Sequence, residues 1–215
     1  MFEKLPERPV MLNEKKKRST FSIVLSVLCS VLFGILLIVL LLFTGFNFWV
    51  NKNCFVVEVS GDSMLNTVES GDLLYVRDVK AKRGDIVIIS VKNYTLDGGF
   101  HFSGEYIIKR LIAVEGDTVQ CEDGVLSVKY KDSNQFITLD EPYIRGTTPD
   151  LESAVTVGEG EIFFLGDNRE FSYDSTEFGC LLEKDIVGVV PDWSLKVKTF
   201  TTVWERMRTK LSVHQ

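Results

Sequence analysis

Histidine is nearly missing from these 215 residues: only His101 and His214 occur. That scarcity excludes a His-rich metal centre and leaves a serine nucleophile short of its usual base. His214 stands second from the end, in a segment expected to fray. His101 sits in Gly98-Gly99-Phe100-His101-Phe102, which reads as a loop. Cysteine is sparse too. Cys29, Cys54, Cys121 and Cys180 lie far apart with no C-x-x-C pair, so zinc and redox motifs are unsupported. A basic surplus is also lacking: 24 Lys+Arg against 30 Asp+Glu give a net charge of -6, which disfavours a nucleic-acid partner. With 45% hydrophobic residues the chain is neither disordered nor a disulfide scaffold.

One absence is local. Between Arg18 and Lys52 there is no charged residue. This run, Phe21 to Val50, exceeds the roughly 20 helical residues that a hydrocarbon core of about 30 Å requires. Backbone amides in lipid must pair within the segment, which makes it helical. A cleaved signal peptide would have a shorter apolar core and end in small residues, whereas this run closes on Gly45-Phe46-Asn47-Phe48-Trp49. Lys4, Arg8, Lys15, Lys16, Lys17 and Arg18 precede it against Glu3, Glu7 and Glu14, so the positive-inside rule keeps the N-terminus cytoplasmic. Beyond the run, 18 cations face 27 anions, an acidic extracytoplasmic portion.

From Cys54 to about Val190 the pattern is β. Phe55–Val59, Asp72–Val76, Asp85–Ile89, Tyr106–Val114, Asp117–Cys121, Val125–Lys129, Glu161–Leu165 and Asp185–Val190 are short apolar or β-branched runs with Gly or Asp punctuation. With no amphipathic helix between them, the expected fold is mostly β, a coiled antiparallel sheet or barrel preceded by one transmembrane helix. Residues 93–104 and 142–160 read as surface excursions. The expected organisation is a basic cytoplasmic segment (1–20), a signal-anchor helix (21–49), a β domain (50–195) and an amphipathic tail (196–215). In that tail Val203, Trp204, Met207 and Leu211 recur at helical spacing, for packing or for an interfacial helix.

Without histidine, a serine nucleophile could use a lysine, provided the amine is neutral near pH 7. Burial in apolar surroundings achieves that, because desolvation penalises the charged form. Lys109 is the lysine that stands inside an apolar strand, Tyr106-Ile107-Ile108-Lys109-Arg110-Leu111-Ile112-Ala113-Val114. Alternation puts it on one face with Ile107, Leu111 and Ala113. The competing reading is an ordinary edge-strand charge. Ser63 follows a strand into a glycine turn, Val59-Ser60-Gly61-Asp62-Ser63-Met64, where a serine is either structural or displayed at a sheet rim. The G-x-S-x-G elbow and the S-x-x-K signature are both absent.

Four ordered stretches resemble the bacterial type I signal peptidases, membrane-bound Ser/Lys endopeptidases. They are Gly61-Asp62-Ser63-Met64-Leu65-Asn66-Thr67-Val68, Gly71-Asp72-Leu73, Lys109-Arg110 followed by Gly116-Asp117, and Gly166-Asp167-Asn168-Arg169-Glu170-Phe171-Ser172-Tyr173-Asp174-Ser175-Thr176. The resemblance implies that residues 50–195 form a catalytic domain in which Ser63 attacks the scissile carbonyl and Lys109 is the base. Ser172 would orient the lysine, and Asp167 and Asp174 would support the site structurally. The Ser63 N–H would be the first oxyanion donor. The second stays open: family members can carry a serine at the position of Gly61, so Ser60, backbone or water must serve. Asn66 replaces the family's proline. Thr176 replaces an arginine, leaving an ion pair absent or rebuilt by Arg169.

The resemblance further implies exported preproteins as substrates, cleaved after small residues at -1 and -3 by a monomer seated in the bilayer, with no metal or cofactor. Two other readings stay open: a non-enzymatic anchored β domain assisting assembly of secreted subunits, and a Ser/Lys self-processing regulator. The spanning run and the lack of a basic DNA-binding segment speak against the regulator.

Overall fold

A computed structural model describes residues 20–94 and 105–212. By contact density the chain divides at Trp49/Val50 into two compact units. The first is built from a 34-residue helix, α1 (Thr20–Asn53), which runs on past the division. It is long and apolar enough to cross a membrane, about 51 Å at 1.5 Å per residue. Its few polar side chains are satisfied inside the helix. Ser30 Oγ, Thr44 Oγ1 and Asn47 Nδ2 donate to carbonyls one turn back, at 2.8–3.0 Å. Leu, Ile, Val and Phe side chains stand exposed along it from Phe21 to Phe48.

The second unit is a set of antiparallel sheets. β1 (Phe55–Glu58) pairs with β2 (Leu73–Val76). β3 (Ile86–Ser90), β4 (Tyr106–Val114), β9 (Glu161–Leu165), β10 (Leu181–Leu182) and β11 (Ile186–Val190) form a five-stranded sheet in the order β10-β9-β4-β3-β11. β5 (Thr118–Glu122), β6 (Val125–Lys129), β7 (Ile137–Thr138) and β8 (Val155–Thr156) form the third, in the order β7-β6-β5-β8. A one-turn helix, α2 (Ser175–Phe178), follows β9, and α3 (Asp192–Ser212) ends the described chain.

β4 is central, with β3 on one side and β9 on the other, so Lys109 is not an edge-strand charge. Both faces of β4 are covered. Ile107 and Leu111 pack with Val87, Ile89, Ile162 and Phe164 on one face, while Ile108 packs with Met64, Val68, Leu74 and Ile88 on the other. The expected alternation holds as far as Leu111. A register shift against β9 between Leu111 and Ala113 then turns Ala113 into the cluster of Ile112, Val119 and Phe163. Ala113 therefore leaves the face of Lys109, contrary to simple period-2 reading.

Three strands escaped the sequence pattern: β7, β8 and β10 have two residues each, too few to show alternation. Because β8 pairs with β5, residues 142–160 are not merely a surface excursion, and Thr148 and Val157 within them are buried. Most of the other excursion, 95–104 with His101, lies outside the described residues, as does His214. All four cysteines are free.

Candidate active site

The turn bearing Ser63 is pinned from below. Met64 and Val68 are fully buried among Leu74, Val76, Ile86 and Ile88. Thr67 and Val68 N–H both bond the Met64 carbonyl, at 2.9 and 3.0 Å. Ser63, one residue before that apolar staple, is half-buried at the rim. Asn168 clamps the turn from the other side. Its backbone N–H donates to the Ser63 carbonyl (3.0 Å) and its Nδ2 to the Asp62 carbonyl (2.9 Å). The Ser63 N–H makes no hydrogen bond among the described residues. Gly61 adopts φ +92°, and a Cβ there would meet nothing within 4 Å, so open space stands beside the turn. Its N–H donates to Ser70 Oγ (3.3 Å). Ser60 is exposed.

Gly166 is the point of convergence. A Cβ on it would collide with the Ser172 side chain and with the Ser63 carbonyl oxygen. Only a glycine allows the end of β9, the Ser63 turn and the Ser172 loop to close on one another. Ser172 Oγ is buried and has no hydrogen-bond partner among the described residues. An unpaired buried hydroxyl is costly, and such groups gather where function needs a donor in waiting.

Lys109 is 3% exposed, and among the described residues it makes no hydrogen bond or ion pair. Burial pushes its pKa down to about 8, while the Asp174 and Asp167 carboxylates pull the other way and do not win. Its neighbour Arg110 faces the opposite side. The Arg110 guanidinium holds Asp167 through Nε–Oδ1 (2.8 Å) and Nη2–Oδ2 (2.6 Å), reaches the Gly84 carbonyl (2.7 Å) and lies 3.8 Å over the Tyr143 ring. Thr67 Oγ1 also donates to Asp167. Asp167 thus ties the Ser63 turn to β4.

Asp174 is buried as well. It accepts from Gly166 N–H (2.9 Å), Thr176 N–H (3.2 Å) and Thr176 Oγ1 (2.8 Å), capping α2 and holding Ser172 in its loop. Thr176 therefore bonds the aspartate by its hydroxyl. Arg169 does not rebuild an ion pair there; it is buried and paired with Glu141 and the Gly166 carbonyl. Sequence reasoning missed Thr67, Asn168 and Glu141 as parts of the site. Asn168 and Thr67 stood inside recognisable motifs, which was the available signal. Glu141 had none.

Ser63, Gly166, Asp167, Ser172 and Asp174 come together from three elements, with Lys109 on the strand behind. The assembly offers two serine hydroxyls and, on the adjacent strand, a buried amine, groups of the kind a hydrolase uses. Comparison with known proteins makes this specific. Residues 28–193 match the family described as signal peptidase, peptidase S26. The chain is 35% identical over 142 residues to a probable signal peptidase I-1 of Synechocystis sp., covering 62% of this chain and 69% of that protein. It is 32% identical over 152 residues to a signal peptidase I of Bacillus caldolyticus, covering 61% and 74%. A crystal structure of a signal peptidase I from Enterococcus faecalis matches with a TM-score of 0.41 at 29% identity, over 53% of this chain and 98% of that one. The chain belongs to the signal peptidase family, peptidase S26, and is a serine endopeptidase of the signal peptidase I type.

Proposed function

We propose that Ser63 is the nucleophile and Lys109 the general base of an endopeptidase that removes signal peptides from exported preproteins. The observation that carries this reading is the amine of Lys109, buried and lowered to about 8 by desolvation. At neutral pH a useful fraction of it is uncharged and able to take the serine proton. The Ser63 hydroxyl attacks the scissile carbonyl carbon, and Lys109 accepts the proton it sheds. The resulting oxyanion is met by the unengaged Ser63 N–H, with Ser60 or water as the second donor. Lys109 then delivers the proton to the leaving amine, and water repeats the sequence on the acyl-enzyme. Ser172 is assigned to orient the Lys109 amine during the reaction; in this structure neither group has formed that hydrogen bond. Asp167 and Asp174 hold the frame.

The chain works as a monomer in the bilayer: α1 anchors it, the N-terminal basic segment stays cytoplasmic and the catalytic domain (50–195) faces outward. The bound preprotein is read as an extended strand beside Val57–Ser60, with small residues at -1 and -3. Ser63→Ala and Lys109→Ala should each reduce preprotein cleavage in detergent by roughly a thousandfold or more. Cleavage by both variants at the wild-type rate would remove the dyad.

A further inference from the structure

α3 divides its faces unusually. The face it turns to the domain carries hydroxyls and a lysine beside Trp193, which packs on Tyr75, and Leu195, which packs on the core. Ser194 and Thr201 are fully buried, Ser194 Oγ accepts from Tyr75 N–H (2.8 Å) and Thr202 Oγ1 accepts from Leu73 N–H (2.9 Å). Lys198 Nζ donates to Asp72 Oδ2 (2.9 Å) and to the Thr67 carbonyl (3.2 Å). These contacts have a clear cause: β2 pairs with β1 on one side only, and the N–H groups of its other edge need acceptors. The face turned away is apolar. Phe200 is 62% exposed, Val203 52%, Met207 50% and Val197 38%, and Phe200 stacks on Trp204 at 6.2 Å.

A helix lying on a water-soluble domain normally buries its apolar stripe. Charge points to what covers this one. Lys198 is engaged with Asp72 and Arg206 reaches the Gly71 carbonyl (3.1 Å), but the helix also carries Lys196, Arg208 and Lys210 against Asp192 and Glu205, whereas the chain as a whole is acidic. Aromatic and aliphatic side chains flanked by cations suit the headgroup layer of an anionic bilayer. A second copy would bring the same apolar stripe but also the same helix cations, like charge against like, where an anionic headgroup brings the opposite charge.

We propose that the outer face of α3 lies in the interface of a bilayer containing anionic phospholipid. The helix would thereby bring a lipid surface into mechanical contact with the nucleophile turn, through Lys198 and the Thr67 carbonyl. The inference takes from the proposed function only the presence of a bilayer.

The test uses the full chain in vesicles of phosphatidylglycerol and phosphatidylcholine, with photo-reactive benzoylphenylalanine placed in turn at positions 200, 203 and, as an exposed control, 153. Mass spectrometry after illumination should find lipid adducts at 200 and 203 about fivefold or more above 153, falling severalfold in vesicles of phosphatidylcholine alone. Yields at 200 and 203 equal to the control, or adducts to a second copy instead of lipid, would overturn the proposal. Yields that ignore phosphatidylglycerol would overturn its electrostatic part. Flotation of the same samples with the vesicles and their cleavage of a preprotein report anchoring and catalysis separately, so failure of α3 docking is distinguishable from failure of either.

Discussion

Lys109 illustrates a residue that the fold tolerates at a cost. In the unfolded chain its amine titrates near 10.4; in the folded domain it titrates at about 8. Between those values the unfolded chain holds more protons, so stability rises with pH across that window. Below pH 8 both states are charged, and burying the ammonium costs on the order of 3 kcal/mol. Lys109→Met, of similar length and without charge, should therefore be inactive yet melt above the wild type at pH 7. The gap should close as the pH is raised past about 10. Thermal melts in detergent across that range check it. A lower melting temperature for the variant at pH 7 would mean the amine is solvated.

Legibility at this scale was uneven. Lys109 and Ser63 could be singled out because charge inside an apolar run, and serine in a glycine turn, are local signals. The partner of Arg110 could not, since Asp167 lies 57 residues away in sequence. Thr176 shows a milder version: its departure from the family pattern was visible, but its hydroxyl bond to Asp174 needed the loop's geometry.

At the scale of elements, the longer strands announced themselves through β-branched runs and Gly or Asp breaks, and α1 through its lack of charge. β7, β8 and β10 did not, because two residues carry no period. The bulge in β4 was equally silent, and it moves Ala113 off the lysine's face. α3 shows why spacing alone misleads. Val203 and Met207 recur as a packing stripe would, yet they face outward, because β2's open edge demands hydroxyls.

The element that joins the site is Asp167, which bonds Arg110 on β4 and Thr67 on the nucleophile turn. Asp167→Ala strands a buried guanidinium, so a loss of about 3–5 kcal/mol is expected, with activity falling in parallel. Pairing it with Arg110→Met should recover much of the stability and none of the activity, since the turn stays untethered. Denaturant unfolding and preprotein cleavage, measured on the same preparations, separate the two effects. Recovery of activity by the double variant would show that Asp167 does not position the turn.

For the whole molecule, one apolar helix and one antiparallel β unit divide the labour. The helix is long and apolar enough to cross a membrane, and the β unit buries an amine whose pKa burial lowers to about 8. The dependence of preprotein cleavage on pH reads that site most directly. The account predicts that kcat/KM rises with pH through an apparent pKa near 8, the value that burial imposes on Lys109. A profile already flat from about pH 6 upward, or one whose rise sits near the unperturbed lysine value of about 10.4, would contradict it.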